Sequence, residues 1–210
     1  MDSLILIGGG GHCRSAIDVI ESEGKLNITG ITDQKENVGK NISGYKILAT
    51  DEGLPKLISK YKHCLVTVGQ LKSATLKKKL YGMATSLGAS FPAVISPYSV
   101  VSKRASIDNG TIVFHNAVVN SGAEIGLNCI INTGSVVEHD TVVGDHVHIA
   151  PGAVVNGHCR IGSGSLVGSG SVILQQVEIG ENVIIGAGSV VIRSITEPGI
   201  YAGNPSKKIR

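Results

Sequence analysis

Residues 131–155 read INTGSVVEHDTVVGDHVHIAPGAVV, and every sixth residue in this stretch, Ile131, Val137, Val143, Ile149 and Val155, is a branched aliphatic. Stepping by six in both directions extends the run from Ile95 to Val191, seventeen positions that are all Ile or Val. Two places before each, fourteen of the seventeen residues are Ala, Ser, Thr or Cys. An amphipathic helix repeats every ~3.6 residues and cannot hold a period of six for so long. The period instead describes a short strand plus a corner, with the aliphatic turned inward and stacked on its counterpart ~4.8 Å away in the next coil. Three faces close a triangular prism, so one coil is three repeats and position i recurs at i + 18. Gly126, Gly144, Gly162, Gly168, Gly180 and Gly186 follow an aliphatic directly and are expected where the backbone bends.

Composition agrees with a narrow interior. The 210 residues include 28 Gly, no Trp and only 3% aromatics, too little bulk for an ordinary globular core. Lys and Arg exceed Asp and Glu by 19 − 16 = 3, too mild an excess to indicate nucleic acid or an anionic membrane as a partner. No apolar run approaches the ~20 residues that span a bilayer, and the N-terminus lacks a basic segment and a cleavage site, so a soluble, cytoplasmic protein without membrane insertion is expected. Cys13, Cys64, Cys129 and Cys159 form no C-x-x-C pair, which argues against zinc and disulfides. The spacing of Cys129 and Cys159, 159 − 129 = 30, is not a multiple of 18, so they fill different faces of the prism.

Residues 1–88 alternate between strand and helix patterns, as in a small parallel α/β sheet, and 89–210 form the repeat domain. Leu4–Ile7, Asn27–Thr32, Tyr45–Leu48 and Cys64–Val68 read as strands; 15–23, 51–61 and 71–87 read as helices. The loop Gly8-Gly9-Gly10-Gly11-His12 lies between strand and helix, where backbone amides and the helix dipole meet phosphates. It is not a dinucleotide fingerprint, because the third glycine of G-x-G-x-x-G is Cys13 here. Asp33, after the second strand, occupies the place of an acidic residue that meets a ribose or a base, so half a dinucleotide site, for one nucleotide, fits better; a mere tight turn is the alternative. Lys72, Lys77, Lys78 and Lys79 read as a solvated helix face.

The repeats, with their closing Pro198-Gly199-Ile200-Tyr201-Ala202-Gly203-Asn204-Pro205-Ser206-Lys207, resemble the hexapeptide-repeat acyltransferases. Together with Gly8–His12 at the front and Asn132–Asp140 (NTGSVVEHD) in the repeats, the whole chain resembles the sialic acid O-acetyltransferase (NeuD-type) family, and within it the PglD-like N-acetyltransferases of nucleotide-linked 4-amino-4,6-dideoxy sugars. That resemblance implies a left-handed parallel β-helix, a homotrimer, acetyl-coenzyme A as co-substrate without a metal, and a nucleotide-sugar held by the N-terminal domain. O-acetylation of sialic- or legionaminic-type sugars, and a non-catalytic trimeric scaffold, are the alternatives at this stage.

Moving acetyl from a thioester to an amine needs a proton acceptor, a donor to the tetrahedral oxyanion and a means of holding both substrates. Histidine suits the first task, and the chain has seven: His12, His63, His115, His139, His146, His148 and His158. The resemblance singles out His139 as the base and Asp140 as its carboxylate partner. Neighbours in a strand face opposite ways, so that pairing requires a corner, and Glu138 is the fallback. One coil after His139 comes 139 + 18 = 157, where Gly157 could bring an unobstructed amide to the oxyanion. The resemblance further implies His148 near the acetyl carbonyl across a subunit boundary, Asn132 and His12 on the sugar or its phosphates with Gly8, Gly10, Gly11 and Asp33, and Gly168, Gly186, Ala187 and Lys207 along coenzyme A.

Overall fold

The computed structural model describes residues 1–210. It divides into two units, Met1–Gly69 with Thr75–Ile95, and Gln70–Ala74 with Ser96–Arg210.

The first unit runs β1 (Asp2–Ile7), α1 (Gly11–Glu23), β2 (Leu26–Thr32), β3 (Asn41–Ile42), β4 (Tyr45–Ala49), α2 (Leu54–Tyr61), β5 (His63–Val66) and α3 (Thr75–Ser86). The sheet order is β3-β4-β2-β1-β5. Pairs β4-β2, β2-β1 and β1-β5 are parallel, while β3 adds an antiparallel edge through a hairpin too short for sequence periodicity to register. Leu4, Ile5, Leu6 and Ile7 are fully buried, as a central parallel strand covered on both faces must be. Ile5 and Ile7 pack with Leu54 and Ile58 of α2, Cys64 and Val66 of β5, and Leu80 and Ala84 of α3.

Three sequence expectations need correction here. The first helix starts at Gly11 rather than near residue 15, so the end of the glycine run and His12 are helical. The stretch 51–61 is a 3-10 turn (Asp51–Gly53) leading into α2, whose Pro55 sits in the first turn where its missing N–H costs nothing. Lys77 is buried on the Leu80 and Ala84 stripe of α3, so the lysine cluster is not uniformly a solvated face.

The second unit is a prism of two-residue strands. Each strand pairs in parallel with its counterpart one coil on, as in Val118↔Val136, Ile130↔His148 and Val142↔Arg160. The three sheets so formed make a parallel β-helix. From Val113 to Val191 the sixth-residue aliphatics are at most 2% exposed, and each is worth about 1.5–3 kcal/mol relative to exposure. The small residues two places earlier are also buried, and their hydroxyls serve the backbone. Thr141 Oγ1 donates to Asn156 O and accepts from Cys159 N, while Ser165 Oγ donates to Gly180 O and accepts from Val183 N.

The bends fall elsewhere than expected. From Ile107 to Ile185, the third residue after every aliphatic has positive φ, among them Gly134 and Gly170 but also Asn116, Asn128, Asp140 and His158. Asn and Asp tolerate this region best after glycine. Gly126, Gly144, Gly162, Gly168 and Gly180 instead stand where successive coils touch. A Cβ on Gly162 would lie 2.5 Å from Glu181 N and Gly180 C.

The outward residues differ by face. One face carries Val100, Val118, Val136, Val154, Val172 and Val190, an unbroken valine column. The next carries Ser106, Glu124, Val142, Arg160 and Glu178 and is polar. The third carries Ile112, Ile130, His148, Leu166 and Ile184.

Coil contact and corner conformation predict opposite responses at two glycines. Gly162→Ala is expected to destabilise the protein by about 1–3 kcal/mol, since backbone must move. Gly170→Asn, at φ +64 with open space around it, is expected to stay within about 0.5 kcal/mol. Thermal melts compare them, and equal losses would contradict this account.

Candidate functional site

Residues 138–141 form the corner between the valine strand Val136–Val137 and the polar-face strand Val142–Val143. Asp140 holds the left-handed position at φ 57, which folds its side chain back onto its neighbour: His139 Nδ1 lies 2.9 Å from Asp140 Oδ2. A carboxylate only accepts, so Nδ1 carries the proton and the Nε2 lone pair is uncommitted. Glu138, the fallback partner, is engaged elsewhere, accepting from Asn120 Nδ2 at 2.9 Å and from His139 N at 3.3 Å. The His139 ring is about half exposed and stands outside the prism.

Gly157 lies one coil on, as the strand register requires, with its carbonyl accepting from Gln176 N. An added Cβ at Gly157 would sit 2.6 Å from His139 Nε2, so the ring lies directly over it. The Gly157 N–H has no partner within the chain. A proton acceptor therefore lies beside a residue whose backbone donor is unpartnered. His158 follows at the next left-handed corner, its Nε2 3.7 Å from Asp140 Oδ2 and its ring edge-on to His139 at 5.1 Å. In the sequence His158 reads as an exposed histidine, with zinc binding by several histidines of 139–158 left open; its place one coil after Asp140 follows from the same step of 18 that sets Gly157 beneath His139.

His148 is on a different face, in the third outward column, and is only 6% exposed. Asn132 Oδ1 accepts from Thr133 N at 2.8 Å, which fixes the amide so that Nδ2 points at His148 Nε2 at 3.0 Å. His148 Nε2 therefore accepts and Nδ1 donates to Gln70 O at 2.9 Å. Gln70 in turn donates through Nε2 to Gly164 O and Ser165 O. Within one chain, both His148 ring nitrogens are thus engaged, and the group with a second N–H to offer is Asn132. Sequence reading had no means of finding Gln70, which lies 78 residues from His148.

In the first unit, Gly8 adopts φ +107 and donates to Thr32 O, while a Cβ on Gly9 would meet Ile42 and Asp33. Gly10 and Gly11 have open space around them. Gly10 caps α1 with no side-chain hydrogen bond, its carbonyl accepts from Cys13 N at 3.1 Å, and His12 lies in the first turn near Gly69. Asp33 accepts from Asn37 Nδ2 at 3.0 Å and, with Gly8, Thr50, Asp51 and Glu52, lines a cleft of about 640 Å³. Burial in this cleft raises the Asp51 carboxyl above its ordinary value. Cys13, in the third-glycine place, is buried in α1, and desolvation pushes its thiol up to about 11.

Gly168 is wedged against Ile185 O and Ala187 N of the next coil, and Gly186 against Ala202 Cβ. Lys207 pairs with Ala202 in a short hairpin and lines, with Arg193, Ser206 and Lys208, a cleft of about 410 Å³. Cys159 is buried, its thiol raised by desolvation and its Sγ donating to Leu174 O, so it is no nucleophile. None of the four cysteines forms a disulfide.

The PglD N-terminal domain profile matches residues 3–82, and the bacterial transferase hexapeptide profile, six repeats long, matches 122–157 and 158–193. No protein of curated function matches the sequence. Among solved structures, the acetyltransferase domain of PglB from Neisseria gonorrhoeae FA1090, in complex with acetyl coenzyme A, is 30% identical at a TM-score of 0.92, over 99% of this chain and 98% of that one. PerB from Caulobacter crescentus, in complex with CoA and GDP-perosamine, is 29% identical at a TM-score of 0.92, over 99% and 97%. WeeI from Acinetobacter baumannii AYE is 25% identical at a TM-score of 0.88, over 99% and 100%.

Gly157→Ala tests the stacked geometry. The added methyl group meets the far end of a side chain, so the melting temperature is expected to change little while a crystal structure shows the His139 ring displaced from Asp140. A ring that stays in place in the Gly157→Ala variant would refute the contact.

Proposed function

The chain belongs to the PglD/NeuD type of hexapeptide-repeat acetyltransferases, and on that premise we propose that it moves acetyl from acetyl-coenzyme A to the 4-amino group of a nucleotide-linked 4-amino-4,6-dideoxy sugar, in surface glycan biosynthesis. The observation that carries this is the uncommitted Nε2 of His139 stacked against the Cα of Gly157, a residue whose N–H has no partner within the chain.

In the proposed reaction His139 Nε2 takes a proton from the amine as its nitrogen adds to the thioester carbonyl. Gly157 N–H donates to the oxyanion. The tetrahedral adduct then expels coenzyme A as thiolate, which recovers the proton from the imidazolium. Asp140 keeps Nδ1 protonated throughout and stabilises that imidazolium; a proton-transfer group of this kind is worth about 10²–10⁴-fold in rate. No covalent enzyme intermediate is needed.

The N-terminal unit supplies the nucleotide site in this reading. Gly10 and Gly11 have no neighbour that would exclude a side chain, so their openness suits a phosphate approaching the start of α1, with His12 beside it. Asp33 accepts from ribose hydroxyls or base N–H groups in the adjoining cleft. Coenzyme A runs along the later coils by Gly168, Gly186 and Ala187, and Lys207 with Arg193 meets its phosphates.

The valine column supports a homotrimer. Val100 is 65% exposed, and a contiguous apolar face of this kind is normally covered. His139 sits at the corner bounding that face, and His148 on another face, so a site that combines them takes them from two subunits, with Asn132 rather than His148 offering the spare donor. No helix is long and apolar enough to cross a membrane. We place the enzyme in the cytoplasm, where both co-substrates are made.

Thiol release from acetyl-coenzyme A with a panel of UDP-, GDP- and dTDP-4-amino sugars tests the reaction, and acetylation of a free nonulosonic sugar alone would favour the O-transferase instead. His139→Ala is expected to lower kcat by about 10²–10⁴-fold with assembly unchanged; a near wild-type kcat would remove the base. Val136→Glu is expected to convert a trimer into monomers by light scattering and to abolish turnover, whereas an intact trimer would move the interface to another face.

A further inference from the structure

His158 has no task in acetyl transfer, yet it is aimed at the group on which His139 depends. His139 Nδ1 and His158 Nε2 approach the same carboxylate oxygen, Asp140 Oδ2, at 2.9 and 3.7 Å. The three ligand atoms lie within 4.8 Å of one another. Ligand atoms bound ~2.0–2.2 Å from a tetrahedral ion stand roughly 3.3 Å apart, so the two measured separations bracket the value such an ion requires. The rings meet at 88°, edge to face, and all three side chains are about half exposed, so an ion can enter from solvent.

We propose that His139, Asp140 and His158 form a binding site for a divalent ion of the zinc type, and that its occupation switches the enzyme off. Two imidazoles and a carboxylate are a donor set that zinc and cobalt favour over calcium or magnesium, and three protein ligands leave a fourth position for water. The consequence follows from proton bookkeeping on one ring. With Nδ1–H donating to Asp140, the lone pair is on Nε2. When Nδ1 gives its lone pair to a metal ion, the proton it carried moves through water to Nε2, the ring stays neutral, and Nε2 can no longer accept a proton. The ion thus inhibits by fixing the wrong tautomer without filling the substrate space. This second step rests on His139 as the base; the metal site does not.

The test uses the chelator-stripped full-length protein. Cobalt chloride is titrated while the visible d–d absorption of a low-coordinate, thiolate-free cobalt site is followed, and zinc is added to compete. His158→Asn is the paired variant, because asparagine accepts the left-handed φ of 56 at this corner and removes a ligand. We expect one cobalt per wild-type chain, an affinity lower by about tenfold or more in His158→Asn, and equal metal-free turnover in both. Zinc is expected to inhibit the wild type at concentrations at least about tenfold below those needed for the variant. No cobalt band in folded wild type, or equal affinity in the variant, would overturn the site. A band lost with His158→Asn but accompanied by undiminished turnover of the zinc-loaded wild type would uphold the site and overturn His139 as the base.

Discussion

A residue of L-configuration pays to adopt a left-handed conformation, yet the prism needs one three places after each inward aliphatic to turn from face to face. Glycine, asparagine and aspartate meet that demand at most corners. Where histidine stands instead, at positions 146 and 158, its ring engages the corner residue one coil back: Nδ1 of His146 lies 2.9 Å from Asn128 Nδ2, and Nε2 of His158 lies 3.7 Å from Asp140. The same conformation at Asp140 bends its carboxylate onto His139, a pairing that extended backbone would forbid. Corner geometry therefore underlies both the coil and the chemistry proposed for it.

Register does the rest. Because every strand pairs with its counterpart in the following coil, a side chain at a corner lies over the backbone of that coil. At most such places another side chain or a packed glycine fills the contact. At position 157 the absent side chain leaves room for the His139 ring and an amide without a partner. The faces differ in what they carry: a valine column, a polar column, and a column holding His148 that Gln70 covers.

The repeat unit was readable because its period is six and its interior admits one residue class at each phase. The valine column was equally readable, but only on counting outward positions coil by coil rather than inward positions by six. In the first unit, the parallel order of four strands followed from alternating patterns, whereas the two-residue β3 edge carries no periodic signal. Lys77 misled because charge argues for exposure, while its place in line with Leu80 and Ala84 argues for burial, and burial won.

The amino-acid order alone determined the length of the coil, the stacking of residue 157 beneath residue 139, and the interior fate of Cys129 and Cys159, since each depends only on spacing along a regular lattice. Tertiary structure decided what spacing leaves open: that Asp140 rather than Glu138 meets the imidazole, and that His148 is committed to Asn132 and Gln70. These choices turn on side-chain direction at a left-handed corner and on contacts between residues far apart in the chain, neither of which is periodic.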